Sequence, residues 1–183
     1  PFNQSKAVRA ALLAINQEAM LRAQVTYRDF YKTCASIYLC GSTYASKEPG
    51  FFTGKPQIEE ARRLLKESGY AGKPVVVMVP SDLAALSRLP VVYAELLKQA
   101  GFTVDVQTMD WASLITRRTK KDLPENGGWN VFITYWGGID ASNPVTYTPL
   151  TGNGDSGYFG WPTDAEMESL KTKFIESADL QQR

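Results

Sequence analysis

Residues 73–110 read KPVVVMVPSDLAALSRLPVVYAELLKQAGFTVDVQTMD, and this stretch decides the fold. VVVMV at 75–79 is a short β-branched run fenced by prolines, the pattern of a buried strand. A helix follows. Ser81 offers a cap, Pro90 a break or a fresh first turn, Leu96 and Leu97 the packing residues, and Gly101 the stop. FTVDVQT at 102–108 then alternates as a strand. Strand, helix, strand implies a crossover connection and parallel pairing.

The same alternation continues outward. Downstream, Asp110 can cap a helix carrying WASLITRRTKK, and WNVFITYW at 129–136 reads as a third strand. Thr163 and Glu166 form a T-x-x-E capping box for a last helix, with Met167, Leu170 and Phe174 as its apolar stripe. Upstream, Pro56 suits the first turn of a helix whose apolar face is Ile58, Ala61, Leu64 and Leu65, closed by Gly69. The first helix is expected from about Ser5 to Val25, with Val8, Leu12, Ile15 and Ala19 as one stripe. Between these two helices lies a long irregular segment, about Tyr27 to Lys55, that holds Cys34 and Cys40. A loop of that length is either functional or a strap packed over the core through its aromatics. The fold class is α/β: a largely parallel sheet flanked by helices, formed by residues 1–183 as a single lobe.

Composition narrows the function classes. The chain has 183 residues, 44% of them hydrophobic, and a net charge of +1. A balanced charge argues against a nucleic-acid partner. The absence of histidine removes His-dependent nucleophilic catalysis and the commonest transition-metal ligand. Two cysteines cannot by themselves complete a structural zinc site. No cofactor motif is present: GNGDSG at 152–157 lacks both the P-loop lysine and the GxGxxG spacing. The basic run Arg117, Arg118, Lys120, Lys121 reads as a solvated helix face. The opening lacks an initiator Met and the end is still helical in pattern, so a piece of a longer chain is expected.

Ligands of open α/β sheets gather beyond the carboxyl ends of the strands. That points to the loop after Val79, the turn at Met109–Trp111 and, richest of all, the loop from Trp136 to Trp161. The last opens with WGGIDASNP at 136–144 and also holds Tyr147, Asn153, Asp155, Tyr158 and Phe159. Asp140 has two readings: an Asx turn that bonds backbone two residues on, or a fixed charge for a cationic group. Trp136 and Trp161 are either packing residues or flat contacts for a ligand. Asp155 and Asp164 read as turn and cap residues.

SKAVRAALLAINQEAM, QIEEARRLLKESGYAGKPVVVMV, YAELLKQAGFTVDVQTMDW and WNVFITYWGGIDASNP, in this order, resemble the extracellular solute-binding proteins of ABC transporters. The closest group is the dipeptide- and oligopeptide-binding family, solute-binding family 5. The resemblance implies a type II periplasmic-binding-protein lobe, the C-terminal one of two that close on a ligand. It also implies a binding module without catalysis, exported to the periplasm. Its partners would be a small solute or peptide, the N-terminal lobe of the same chain and an ABC permease. Relatives also carry opines, glutathione-like compounds, nickel complexes and sugars. In peptide-binding relatives an aspartate four residues before a proline pairs with the ligand's amino terminus, and Asp140 precedes Pro144 by that spacing. One residue more separates Trp136 from Asp140 than in the family pattern. The implied ligand residues are Trp136, Gly138, Asp140 and Trp161. In an exported protein, Cys34 and Cys40 are expected to form a disulfide closing CASIYLC, two free buried thiols being the other possibility. Two rival classes are a hydrolase using Asp140 as acid or base and a nucleotide-binding regulatory domain, the latter disfavoured by the missing phosphate loop.

Overall fold

The computed structural model describes residues 2, 4–46 and 50–179. Its helices are α1 (Ser5–Leu13), α2 (Gln17–Gln24), α3 (Ile58–Glu67), α4 (Leu89–Gln99), α5 (Trp111–Arg117) and α6 (Ala165–Glu176). Strands β1 (Val75–Pro80) and β2 (Val104–Met109) pair in parallel, Val75 opposite Val104 through Pro80 opposite Met109, with α4 as the crossover. Pro90 lies in the first turn of α4, so it opens that helix rather than breaking it.

β1 is buried along its whole length. Alternate side chains serve two cores, as the period of two in a strand requires. Val75 and Val77 join Ala61, Leu64, Leu65, Tyr93, Leu97 and the alanines of α1. Val76 and Met78 join Leu114 of α5, with Trp111, Trp129 and Phe132 packed around them. The central Met78 is fully buried, which favours folding by about 1.5–3 kcal/mol over leaving it in water.

The third strand expected at 129–136 contracts to one parallel bridge, Val77 to Val131. Val131 makes both of its ladder bonds: its N–H donates to Val76 O (3.0 Å) and its carbonyl accepts from Met78 N–H (2.9 Å). Parallel pairing would next have the carbonyl of Ile133 accept from the amide of residue 80. That residue is Pro80, which has no N–H to give. On the other side, the amide of Val76 is taken by the side chain of Asn130 (2.9 Å to Oδ1). The ladder is therefore cut on both flanks of Val131.

The first helix is not continuous to Val25. α1 ends at Leu13, and Asn16 starts α2 by accepting from Ala19 N–H (3.0 Å). The buried face of α1 is Ala7, Ala10, Ala11 and Leu13, while Val8 of the expected stripe is exposed. At the break, Ile15 N–H bonds Leu12 O, and the buried Tyr93 hydroxyl donates to Ala11 O (2.9 Å). Tyr93 thus serves a carbonyl that the end of a helix leaves without an intrahelical donor. Burial pushes its hydroxyl pKa well up.

Two other expectations shift. The N-cap of α6 is Asp164, whose carboxylate accepts from Met167 N–H (2.9 Å), and not Thr163; Leu170 of the expected stripe is exposed. In the basic run, Arg117 turns inward: its guanidinium donates to Gly127 O, Gly128 O and Gln107 Oε1, while Arg118 lies over the Phe132 ring. Gly69 and Gly101 follow α3 and α4 in left-handed backbone (φ +70° and +98°), as expected of helix stops.

The irregular segment after α2 is pinned locally. Gln17 pairs its amide with the backbone of Cys34 in both directions (2.6 and 2.8 Å), and its own N–H donates to Gly54 O (3.0 Å). Tyr31 is buried and donates to Glu18 (2.7 Å), whereas Tyr27 and Phe30 stay exposed. Cys34 and Cys40 are disulfide-bonded. Residues 47–49 of this segment, and 180–183 of the expected terminal helix pattern, lie outside the described residues.

The chain divides into two compact units: Pro1–Ala35 with Glu48–Tyr135, and Ser36–Lys47 with Trp136–Arg183. The first holds α1 to α5, the sheet and both cores. The second holds α6, the loops from Trp136 onward and the strap 36–46.

Asn130→Ala should leave the buried amide of Val76 without an acceptor. We expect a loss of about 1–3 kcal/mol in unfolding free energy, measured by urea denaturation. A variant as stable as the parent would show that the Asn130 side chain does not end the ladder.

Candidate functional site

Of the three places picked out by the strand-end rule, two are occupied by the protein's own bonds. Ser81 N–H donates to Met109 O (2.8 Å), and Trp111 N–H donates to Asp82 Oδ1 (2.7 Å), which staples the loop after β1 to the turn after β2. Asp110 accepts from Ser113 N–H (2.8 Å) and Ser113 Oγ (2.6 Å), and that hydroxyl and amide hold its carboxyl below the usual range. Both carboxylates there are engaged in local structure.

The third place differs. Ala141 N–H bonds Gly137 O (3.0 Å) and Ser142 N–H bonds Ile139 O (3.2 Å), so the chain turns through a short 3-10 segment, Asp140–Ser142. The carboxylate of Asp140 folds back over Gly137: a Cβ placed on Gly137 would meet Asp140 Oδ2 at 2.9 Å. Thr146 Oγ1 donates to the backbone carbonyl of Asp140 (2.9 Å). The Asx turn expected within DASNP belongs to a different residue. Asn143 Oδ1 accepts from Val145 N–H (2.9 Å) and Thr146 N–H (3.2 Å). Asp140 is exposed, and among the described residues its carboxylate has neither a hydrogen-bond donor nor an ion-pair partner.

Gly138 sits beside it, against the strap. A Cβ there would approach Leu39 Cδ2 to 3.2 Å, and Leu39 N–H donates to Ala141 O (2.8 Å). Leu39 was not legible as a site neighbour in the sequence, because a bond between residues 102 positions apart leaves no local pattern.

Trp136 is half-buried in an aromatic group, edge-on to Tyr147 (5.9 Å between ring centres) and Tyr158 (5.7 Å). Tyr158 in turn meets Phe159 (4.8 Å). Burial raises the Tyr147 hydroxyl pKa. Trp136 thus packs edge-on against these rings and keeps part of its surface exposed.

Trp161 stands in a tight double-back of the chain. Gly154 N–H donates to Pro162 O (2.8 Å), Asn153 bridges Thr163, and Asp164 N–H donates to Gly152 O (2.9 Å). Glu168 of α6 accepts from Gly152 N–H (2.6 Å) and anchors this arrangement. Gly152 is required by closeness, since a Cβ there would fall 2.3 Å from Asp164 O. Trp161 itself has φ +48°, a left-handed backbone that disfavours side chains with a Cβ.

Comparison with known proteins bears on this loop. The family model for the bacterial extracellular solute-binding proteins, family 5 (middle region), matches residues 1–158. The chain belongs to this family. It is 35% identical over 186 aligned residues to the probable peptide ABC transporter periplasmic-binding protein of Sinorhizobium fredii, covering 100% of this chain and 35% of that protein. Solved structures share the fold, among them the following two. An ABC transporter substrate-binding protein of Listeria monocytogenes matches with a TM-score of 0.75 and 20% identity, over 98% of this chain and 36% of that one. The periplasmic oligopeptide-binding protein of Thermotoga maritima, bound to mannohexaose, matches with a TM-score of 0.74 and 19% identity, over 100% of this chain and 37% of that one. The fold is α/β, of the type II periplasmic-binding-protein kind. The chain spans about a third of the length of these relatives.

The backbone at Trp161 makes a checkable statement. At most positions Ala is more stable than Gly, but at a left-handed residue the order reverses by about 1 kcal/mol. Trp161→Gly should therefore unfold at higher urea than Trp161→Ala. The ordinary order would mean that residue 161 is not left-handed in solution.

Proposed function

We propose that the chain is the C-terminal ligand-binding lobe of a periplasmic receptor that delivers di- or oligopeptides to an ABC permease. Asp140 is the anchor for the peptide's amino terminus. The observation that carries this reading is the division of labour within DASNP. Asn143 makes the turn, and the neighbouring carboxylate is left exposed and unpaired by the described residues. A carboxylate with no structural bond costs nothing to keep in water and gains a partner when an ammonium arrives. Once desolvated, such a pair makes a charge-assisted hydrogen bond, about twice as strong as a neutral one.

Family membership supports a binding role without catalysis, and the Sinorhizobium relative's name supports peptide as the ligand class. Trp136, Gly138 and Trp161 are assigned to the same site: Gly138 to let a ligand backbone approach, the two tryptophans to give flat, rigid contact area. Affinity would arise from hinge closure of this lobe and the N-terminal lobe around the ligand.

The test uses the full-length receptor. Asp140→Asn removes the charge and keeps a side chain of the same shape. Calorimetric titration with a di- and tripeptide mixture should show binding weakened by about 2–5 kcal/mol, with unliganded stability unchanged. N-acetylated peptides should lose a similar amount against the parent. Equal affinity in parent and variant would remove Asp140 as the anchor. The isolated chain of 183 residues offers only one wall of such a cleft, so the same titration should detect weak binding or none. Micromolar affinity from this chain alone would place the whole site within it.

A further inference from the structure

The strap 36–46 is bonded at every turn within its own unit. Ser46 N–H donates to Ser36 Oγ (2.9 Å), Ser42 N–H to Leu39 O (2.9 Å) and Ala45 N–H to Ser42 O (3.2 Å). Tyr44 stacks edge-on against Phe174 of α6 (4.9 Å). From this braced segment, Leu39 reaches the Asp140 turn twice. Its N–H donates to Ala141 O (2.8 Å), the residue directly after Asp140, and its Cδ2 lies against Gly138. The exposed Asp140 turn has few other supports: the Thr146 hydroxyl on the Asp140 carbonyl, and its own turn bonds. Leu39 is also the residue next to Cys40, whose disulfide to Cys34 closes a loop of seven residues. Such a closure restricts the backbone conformations open to the residue beside Cys40.

We propose that the disulfide-closed loop 34–40 is the buttress of the Asp140 turn, with Leu39 as its positioning residue, so that opening the disulfide loosens the ligand anchor. This rests on the reading of Asp140 given above. The chemistry is simple. A dithiol reductant passes two electrons and two protons to the disulfide, the Sγ–Sγ bond breaks to two cysteine thiols, and the reductant closes to its own disulfide. Cys40 is exposed, so reductant reaches it without unfolding.

The experiment compares the oxidised full-length receptor, the same protein after reduction with dithiothreitol, the variant Cys34→Ser/Cys40→Ser, and oxidised Leu39→Pro. Leu39→Pro removes the donor N–H and leaves the disulfide intact. Leu39→Ala keeps the N–H and removes the Cδ2 contact with Gly138, so it separates the two supports. The first readout is amide hydrogen exchange across residues 137–143, which needs no ligand. The second is peptide affinity by calorimetry. Exchange in 137–143 should rise and affinity should fall by roughly fivefold to tenfold, the scale of one net backbone hydrogen bond, in all three perturbed forms. Leu39→Ala, which keeps the N–H and loses only the Cδ2 contact, should change both readouts less than Leu39→Pro. Where Cys34→Ser/Cys40→Ser or Leu39→Pro fails to fold, reduction of the folded receptor gives the answer. Unchanged exchange at 137–143 after verified reduction overturns the buttress, and raised exchange with unchanged affinity overturns its link to binding. If the oxidised parent takes no peptide, the peptide reading fails, while the exchange arm still decides whether the loop supports the turn.

Discussion

Pro80 closes the one strand that every layer of the first unit packs against. β1 is buried on both faces and bonded on both edges, so its six residues are the common wall of the two cores. A strand in that position needs all its backbone groups satisfied. A proline at its end is tolerated only because the third segment makes no demand on that amide. The segment pairs through Val131 and then leaves the ladder. The amide of Val76, at the other flank, is satisfied by a side chain. The sheet is narrow for this physical reason, and the residues that follow Val131 are released from strand geometry before Trp136.

Several acids of the molecule hold a part of its architecture. Asp82 receives the amide of Trp111, Asp110 starts α5 and Asp164 starts α6. Each of these carboxylates accepts a backbone amide, so each is part of the architecture. Glu60 and Glu67 meet Arg63 on the exposed side of α3, where such pairs contribute about 0–1 kcal/mol. Asp140 belongs to neither class. Its backbone is fixed by neighbours, its side chain by none of the described residues, and the glycine at 137 leaves the space into which it folds.

The loops of the second unit reach order without a large apolar core. α6 has no buried residue. What holds the region is a dense set of short bonds: Glu168 to Gly152, Thr151 to Tyr158, Asn143 to the 145–146 amides, and Leu39 to Ala141. The aromatic group of Trp136, Tyr147, Tyr158 and Phe159 adds area. The left-handed backbone at Trp161 is retained against a local cost by the bonds that double the chain back on both sides of it.

The amino-acid sequence by itself determined the strand–helix–strand unit of 75–109, because alternation, prolines and stop glycines act within a few residues. It determined the cap at Asp110 for the same reason, but left open whether Pro90 breaks or opens a helix, and the structure opens α4 there in place of the cap offered at Ser81. The motif order through WGGIDASNP determined the family. Only the tertiary structure decided the rest. Asn16 caps a second helix just after the first ends, and Tyr93, 82 residues from its acceptor, satisfies a carbonyl exposed there. The 129–136 run reads as a strand on its own residues, and is cut short by a missing N–H on another strand. Asp140 and Asn143 are equally good turn formers by type, and only their distances assign the turn to one and leave the other's charge exposed. Leu39 joins the site through a backbone bond, and backbone groups are the same in every residue, so no side-chain pattern could have announced it.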